Sequence, residues 1–133
     1  DYNGDTRKLM ITLMQGIQEL RPGAQCRIIG DTYNDIIWDD EKQRIPTEGE
    51  INEKLKELQT GLVYKLLREE RNKRLSECDW IVTKNAEYGY NISKEWRNYR
   101  QALRDLPSIT YKPELDNFGN LKMDSVAWPT PPE

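Results

Sequence analysis

From Glu48 to Cys78 the chain contains no proline, and its apolar residues recur at steps of three and four. Ile51, Leu55, Leu58, Leu62, Leu66 and Leu75 form the stripe, and Val63, Leu67 and Cys78 widen it. That period places side chains on one face of an α-helix. Thr47 and Glu50 stand at the spacing of a capping box, in which the threonine oxygen accepts an orphan amide and the glutamate reaches back. Ile45 is positioned to staple onto Ile51. About 30 helical residues span about 45 Å, more than the diameter of a small domain. A helix of that length needs a partner helix or a neighbouring subunit, so self-association through it is one expectation. Gly61 is where it would bend, since glycine costs roughly 1 kcal/mol relative to alanine in a helix.

The remaining elements are shorter. Residues 6–20 place Leu9, Met10, Leu13, Met14, Ile17 and Leu20 at helical spacing, with Asp5 or Thr6 as cap and Pro22-Gly23 as the stop. Two β-branched runs, Gln25 to Ile29 and Asp35 to Trp38, flank a turn-rich stretch and predict a hairpin. Two strands alone are marginal in water, so the hairpin is expected to lean on the first helix or on a partner strand. Asp79-Trp80-Ile81-Val82 interrupts the long stripe, and residues 83–92 read as a polar connection. Ser93 then caps a helix from Lys94 to Leu106, with Trp96, Tyr99, Arg100, Leu103 and Leu106 on one side and Pro107 as its stop. Beyond it Pro113, Gly119, Pro129, Pro131 and Pro132 favour extended backbone, with Phe118, Leu121, Val126 and Trp128 as anchors. The predicted fold is α+β and helix-dominated: helix, hairpin, long helix, Trp-bearing helix, extended tail. It divides into residues 1–60 and 61–133, or forms one compact unit sharing the long helix.

Chemistry is scarce. The chain has no histidine, which removes the commonest general base and the commonest neutral metal ligand. Ser-His and Cys-His nucleophiles are thereby excluded. Cys26 and Cys78 form no metal spacing and read as reduced structural thiols. Asp31, Asp35, Asp39 and Asp40 crowd the hairpin without the order of a calcium loop, and read as turn formers. Glycine-rich phosphate loops are missing. No catalytic, cofactor or metal site is expected. A net charge of -3 gives no pull toward nucleic acid or an anionic membrane. No apolar run reaches the 18 residues of a membrane span. The charged run of residues 68–77 reads as a solvated helix face.

Four tryptophans, Trp38, Trp80, Trp96 and Trp128, are many for 133 residues. Each can bury a large area and each wants a partner for its ring N–H. They can form the chain's own small core, or they can anchor a partner, since Trp, Tyr and Arg dominate binding hot spots. Composition does not choose between the two.

The stretch from Arg71 to Leu106 carries an Arg-rich helix, then Asp79-Trp80, then Trp96, and then Tyr99-Arg100-Gln101-Ala102-Leu103-Arg104-Asp105-Leu106-Pro107. Val126-Ala127-Trp128-Pro129 and Pro131-Pro132 close it. This pattern, over about residues 71–132, resembles the tail assembly chaperone domain of bacteriophage tail-fibre assembly proteins. That family has an acidic-Trp pair, a Trp-x-x-Tyr-Arg-x-x-Leu-Arg helix and a closing Trp-Pro-x-Pro. Its usual Asp-x-Pro step is missing from residues 83–92, so the loop differs in length or shape and shared partner specificity does not follow. More faintly, residues 6–60 are similar to XkdW-like phage proteins. The similarity lies in the opening helix, Arg21-Pro22-Gly23-Ala24, the strand ending at Trp38, and Ile45-Pro46-Thr47-Glu48-Gly49-Glu50-Ile51. The resemblance implies a non-enzymatic protein that binds viral tail, fibre or capsid proteins through Trp80, Trp96, Tyr99, Arg100, Leu103 and Trp128. It would act in the host cytoplasm as an assembly factor, or remain in the virion as a structural component.

Overall fold

The structure, a computed structural model, describes residues 12–133. Among the described residues four α-helices and one hairpin follow in order: α1 (Leu13–Leu20), β1 (Cys26–Ile28), β2 (Ile36–Trp38), α2 (Glu48–Glu77), α3 (Asp79–Glu87) and α4 (Lys94–Ile109). The helix-dominated α+β class is the observed one. The chain divides into two compact units, Asp1–Leu62 and Val63–Glu133, and α2 contributes residues to both.

In the first unit α1 starts later than its apolar stripe predicts. Thr12 is the cap: its hydroxyl accepts from Gln15 N at 3.2 Å, and the Gln15 side chain accepts from Thr12 N at 2.7 Å. This reciprocal box satisfies two orphan amides and fixes the start. The caps expected at Asp5 or Thr6, with Leu9 and Met10, lie outside the described residues. Arg21 ends α1, and Gly23, at φ +74°, makes the turn that follows. The hairpin pairs Cys26 with Trp38 and Ile28 with Ile36 in antiparallel register. It leans on α1 as expected: Ile17, Ala24 and Ile51 are buried, with Leu13, Leu20, Cys26, Ile28, Ile36 and Trp38 packed around them. The aspartates build turns. Asp35 accepts from the amides of Asp31 and Thr32, and Asp40 from those of Gln25, Lys42 and Gln43. These amides hold both carboxyls below their ordinary range.

Helix α2 begins at the Thr47–Glu50 capping box, with bonds of 3.1 and 2.8 Å. Immediately before the cap it is Pro46, not Ile45, that is fully buried, as is Ile51. The helix runs through Gly61 without a break. Its buried positions are Ile51, Val63, Leu67 and, just past its end, Cys78; Leu58, Leu62, Leu66 and Leu75 are half-buried. Within the second unit the residues expected only to widen the stripe, Val63, Leu67 and Cys78, are more buried than Leu66 and Leu75, because Val63 and Leu67 face Leu106, Leu121 and Val126, and Cys78 faces Tyr99 and Leu103.

In the second unit two expectations are corrected. Residues 79–82, expected only to interrupt the stripe, and 83–87, expected as part of a connection over 83–92, together form helix α3. Nothing between Asp79 and Gly89 breaks a helix, and Asp79 in the first turn complements the helix dipole. The break falls on Cys78 alone. Pro107 does not stop α4, which continues to Ile109. A proline removes only its own bond, to the carbonyl four residues back. The next turn closes by Thr110 N and Oγ1 bonding to Leu106 O at 3.0 and 2.6 Å. Two clusters form the core. One is Val63, Leu67, Leu106, Leu121 and Val126; the other is Cys78, Tyr99 and Leu103. The tail is extended as expected, apart from a bridge between Leu115 and Leu121 and a 3-10 turn at Met123–Ser125.

Candidate protein-binding site

The six candidate residues separate into groups once they are placed. Leu103 is fully buried and Tyr99 nearly so, both inside the chain's own core. Trp96 is half-buried and meets the Tyr99 ring edge-on, with centroids 5.6 Å apart. Burial pushes the Tyr99 phenol above its ordinary pKa. Trp128 is half-buried and packs against both core clusters.

Arg100 is a fastener. Its guanidinium donates to Leu75 O at 3.1 Å, Cys78 Sγ at 2.9 Å and Asp79 Oδ1 at 2.9 Å. Those acceptors lie on either side of the break between α2 and α3. One planar fork therefore pins the end of one helix, the start of the next, and α4 itself. A cation also suits the carbonyl end of α2. Burial works against the charge, but the bonds to Cys78 and Asp79 outweigh it, and the pKa is raised.

Trp80 belongs to neither core. It lies on α3 with 61% of its surface exposed. None of the residues of α3 is buried. Ile81 turns inward against Cys78, Tyr99 and Leu103, while Trp80, Lys84 and Tyr88 follow at four-residue steps along another face. The Lys84 ammonium sits 6.0 Å from the Trp80 ring centroid. Gly89, at φ +72°, ends the helix; Tyr90 N bonds to Asn85 O at 2.8 Å and Gly89 N to Ala86 O at 3.1 Å. These are the two bonds of a Schellman cap. The cap fixes the backbone of Tyr88 and Tyr90 on either side of the glycine. Their rings stand 6.1 Å apart, and the residues are 64% and 69% exposed.

Tyr88 and Tyr90 are not among the residues the sequence singles out, because residues 83–92 read as a connection. The overlooked signal was Gly89, a helix-ending glycine at the right distance from Asp79. Arg74 was hidden in the charged run; it stacks on Trp128 at 4.1 Å from the ring centroid while Glu70 holds its Nε at 2.8 Å. Arg71, from the same run, donates to Arg104 O at 3.1 Å. So that face is solvated only in part. Among the described residues no group of three or more Cys, Asp and Glu is placed to hold a metal.

The second unit thus combines a half-buried fastener, a helix with little burial of its own and an exposed aromatic face. The chain belongs to the phage tail assembly chaperone protein family, whose model matches residues 64–133, just over half of its length. The match nearly coincides with the second unit, and that family is one of assembly chaperones rather than enzymes. No curated protein and no solved structure matches the chain.

Proposed function

We propose that this assembly chaperone holds an unfinished tail or fibre subunit against the aromatic face of α3, made by Trp80, Tyr88 and Tyr90. The single observation that carries this reading is the exposure of Trp80 on a helix that buries none of its residues. Leaving apolar surface in water costs about 25 cal/mol per Å². A client that covers the face recovers that free energy, and rigid aromatic rings lose little entropy when they are covered. In this reading Trp80 touches the client. Trp96, Tyr99, Arg100 and Leu103 act by holding α3 in place, and Trp128 by closing the core beneath. The setting is the cytoplasm of the infected host during assembly.

The test is co-expression with a tagged tail-fibre subunit of the same virus. The parent chain should co-purify with the fibre precursor, and Trp80→Ala combined with Tyr88→Ala should not, with an unchanged circular dichroism spectrum. Equal capture of parent and variant would overturn the reading. Mass spectrometry of purified particles separates a chaperone from a virion component. A chaperone is absent there, and stoichiometric presence would assign the same surface to a permanent structural contact.

A further inference from the structure

The segment after Val126 is attached to the second unit in an unusual way. Among the described residues, no backbone group of residues 127–133 bonds to another element; its one hydrogen bond, Trp128 N to Val126 O, is local. Pro129 and Pro132 are half-buried, but Trp128 is the residue of this segment that packs against the core clusters. Its ring packs against both core clusters and lies under the Arg74 guanidinium. Yet its Nε1–H is buried and has no acceptor among the described residues. A buried donor left unpaired loses the hydrogen bond that water would give it, so opening restores a contact as well as removing one. One side chain with such an offsetting loss is a weak latch compared with Leu103 or Leu106, which are 0% and 2% exposed.

We propose that residues 127–133 are a strap that opens at Trp128 while the rest of the second unit stays folded. The uncovered seat takes the same kind of segment in trans: an extended strand with an aromatic residue followed by proline. The resident occupant defines that chemistry. Arg74, held by Glu70, presents a cation to an aromatic face. Pro129, Pro131 and Pro132 keep the backbone extended before it docks, which lowers the ordering cost for a segment arriving from another molecule.

Two measurements on the full chain test this. The first is hydrogen exchange by NMR in the parent protein, with the Trp128 indole resonance assigned from Trp128→Phe. The Trp128 Nε1–H should exchange at least about a hundredfold faster than the amides of Leu103 and Leu106, and its rate should not respond to low urea, as for local opening. Exchange in step with those amides, with the same urea dependence, would overturn the proposal. The second adds a synthetic peptide of residues 125–133 to Trp128→Ala. The peptide should shift the resonances of Arg74 and Leu103 and raise the melting temperature, and the same peptide carrying alanine at the Trp128 position should do neither. If a folded Trp128→Ala responds to neither peptide, or to both alike, the seat is not a recognition site. Should Trp128→Ala fail to fold, the exchange measurement on the parent decides. Neither measurement involves the aromatic face of α3, so this proposal and the client reading fail separately.

Discussion

Arg100→Met offers a direct measure of how the second unit holds α3. Methionine keeps an unbranched apolar stem of similar reach and removes the guanidinium. Three bonds are lost, to Leu75 O, Cys78 Sγ and Asp79 Oδ1. None of the partners is stranded. Leu75 O still accepts from Cys78 N at 3.2 Å, the Cys78 thiol still donates to backbone carbonyls, and Asp79 is 60% exposed to water. The penalty for a stranded buried group therefore does not apply. What remains is one set of charge-assisted bonds, about 1.5–3 kcal/mol. The exposed ion pair to Asp79 accounts for at most about 1 kcal/mol of this after solvent screening. We expect Arg100→Met to lose about 2–3 kcal/mol, which lowers the melting temperature by about 8–12 °C for a chain of this length. The assay is urea unfolding followed by circular dichroism and tryptophan fluorescence, for Arg100→Met, Asp79→Asn and the double variant. Asp79→Asn alone should cost less than half as much. Equal losses in the two single variants, with no further loss in the double, would mean that the ion pair is the whole interaction. The reasoning about one fork pinning three elements would then be wrong.

Other substitutions separate surface from support in the same way. Leu103→Ala should cost about 2–5 kcal/mol, because it empties a fully buried position, so any lost binding there reports unfolding. Trp80→Ala should stay within about 0.5 kcal/mol of the parent in the same melt while losing the client. Gly61→Ala should stabilise the chain by about 0.5–1 kcal/mol in urea unfolding, since the new methyl meets nothing within 4 Å. Gly16→Val should destabilise it in the same assay, since a Cβ there falls 2.9 Å from Leu55 Cδ2. Acid should weaken the first unit. Amide bonds depress Asp35, Asp40 and Glu50 below ordinary values of 3.8, 3.8 and 4.5, so their contribution is complete above those values and is lost as pH falls through the lower folded ones. Unfolding monitored from pH 6 to 2 should show this loss, and Asp35→Asn with Asp40→Asn should flatten it.

Local spacing alone determined much of this protein. Thr47 and Glu50 announce the start of α2 because a capping box needs only residues three apart. The absence of proline carries that helix to Glu77, the β-branched runs around Asp31 and Asn34 place the hairpin, and Ser93 starts α4. The family pattern, too, was legible from Asp79-Trp80 and the Tyr99-Arg100 helix. Other features depended on neighbours distant in sequence. Pro107 reads as a stop, yet α4 goes on because Thr110 closes the next turn and Tyr64 OH binds the Thr110 carbonyl at 2.9 Å. Val63 and Leu67, rather than Leu62, became the buried seam once Leu106, Leu121 and Val126 were brought against them. Tertiary structure also sorted the aromatic residues and Arg100 by role. Trp80 and Tyr99 are both large aromatic residues with one polar group, but only the packing of α4 against the end of α2 decides which ring is enclosed and which is left to water. Burial is a property of the assembled surface, and spacing along the chain cannot express it.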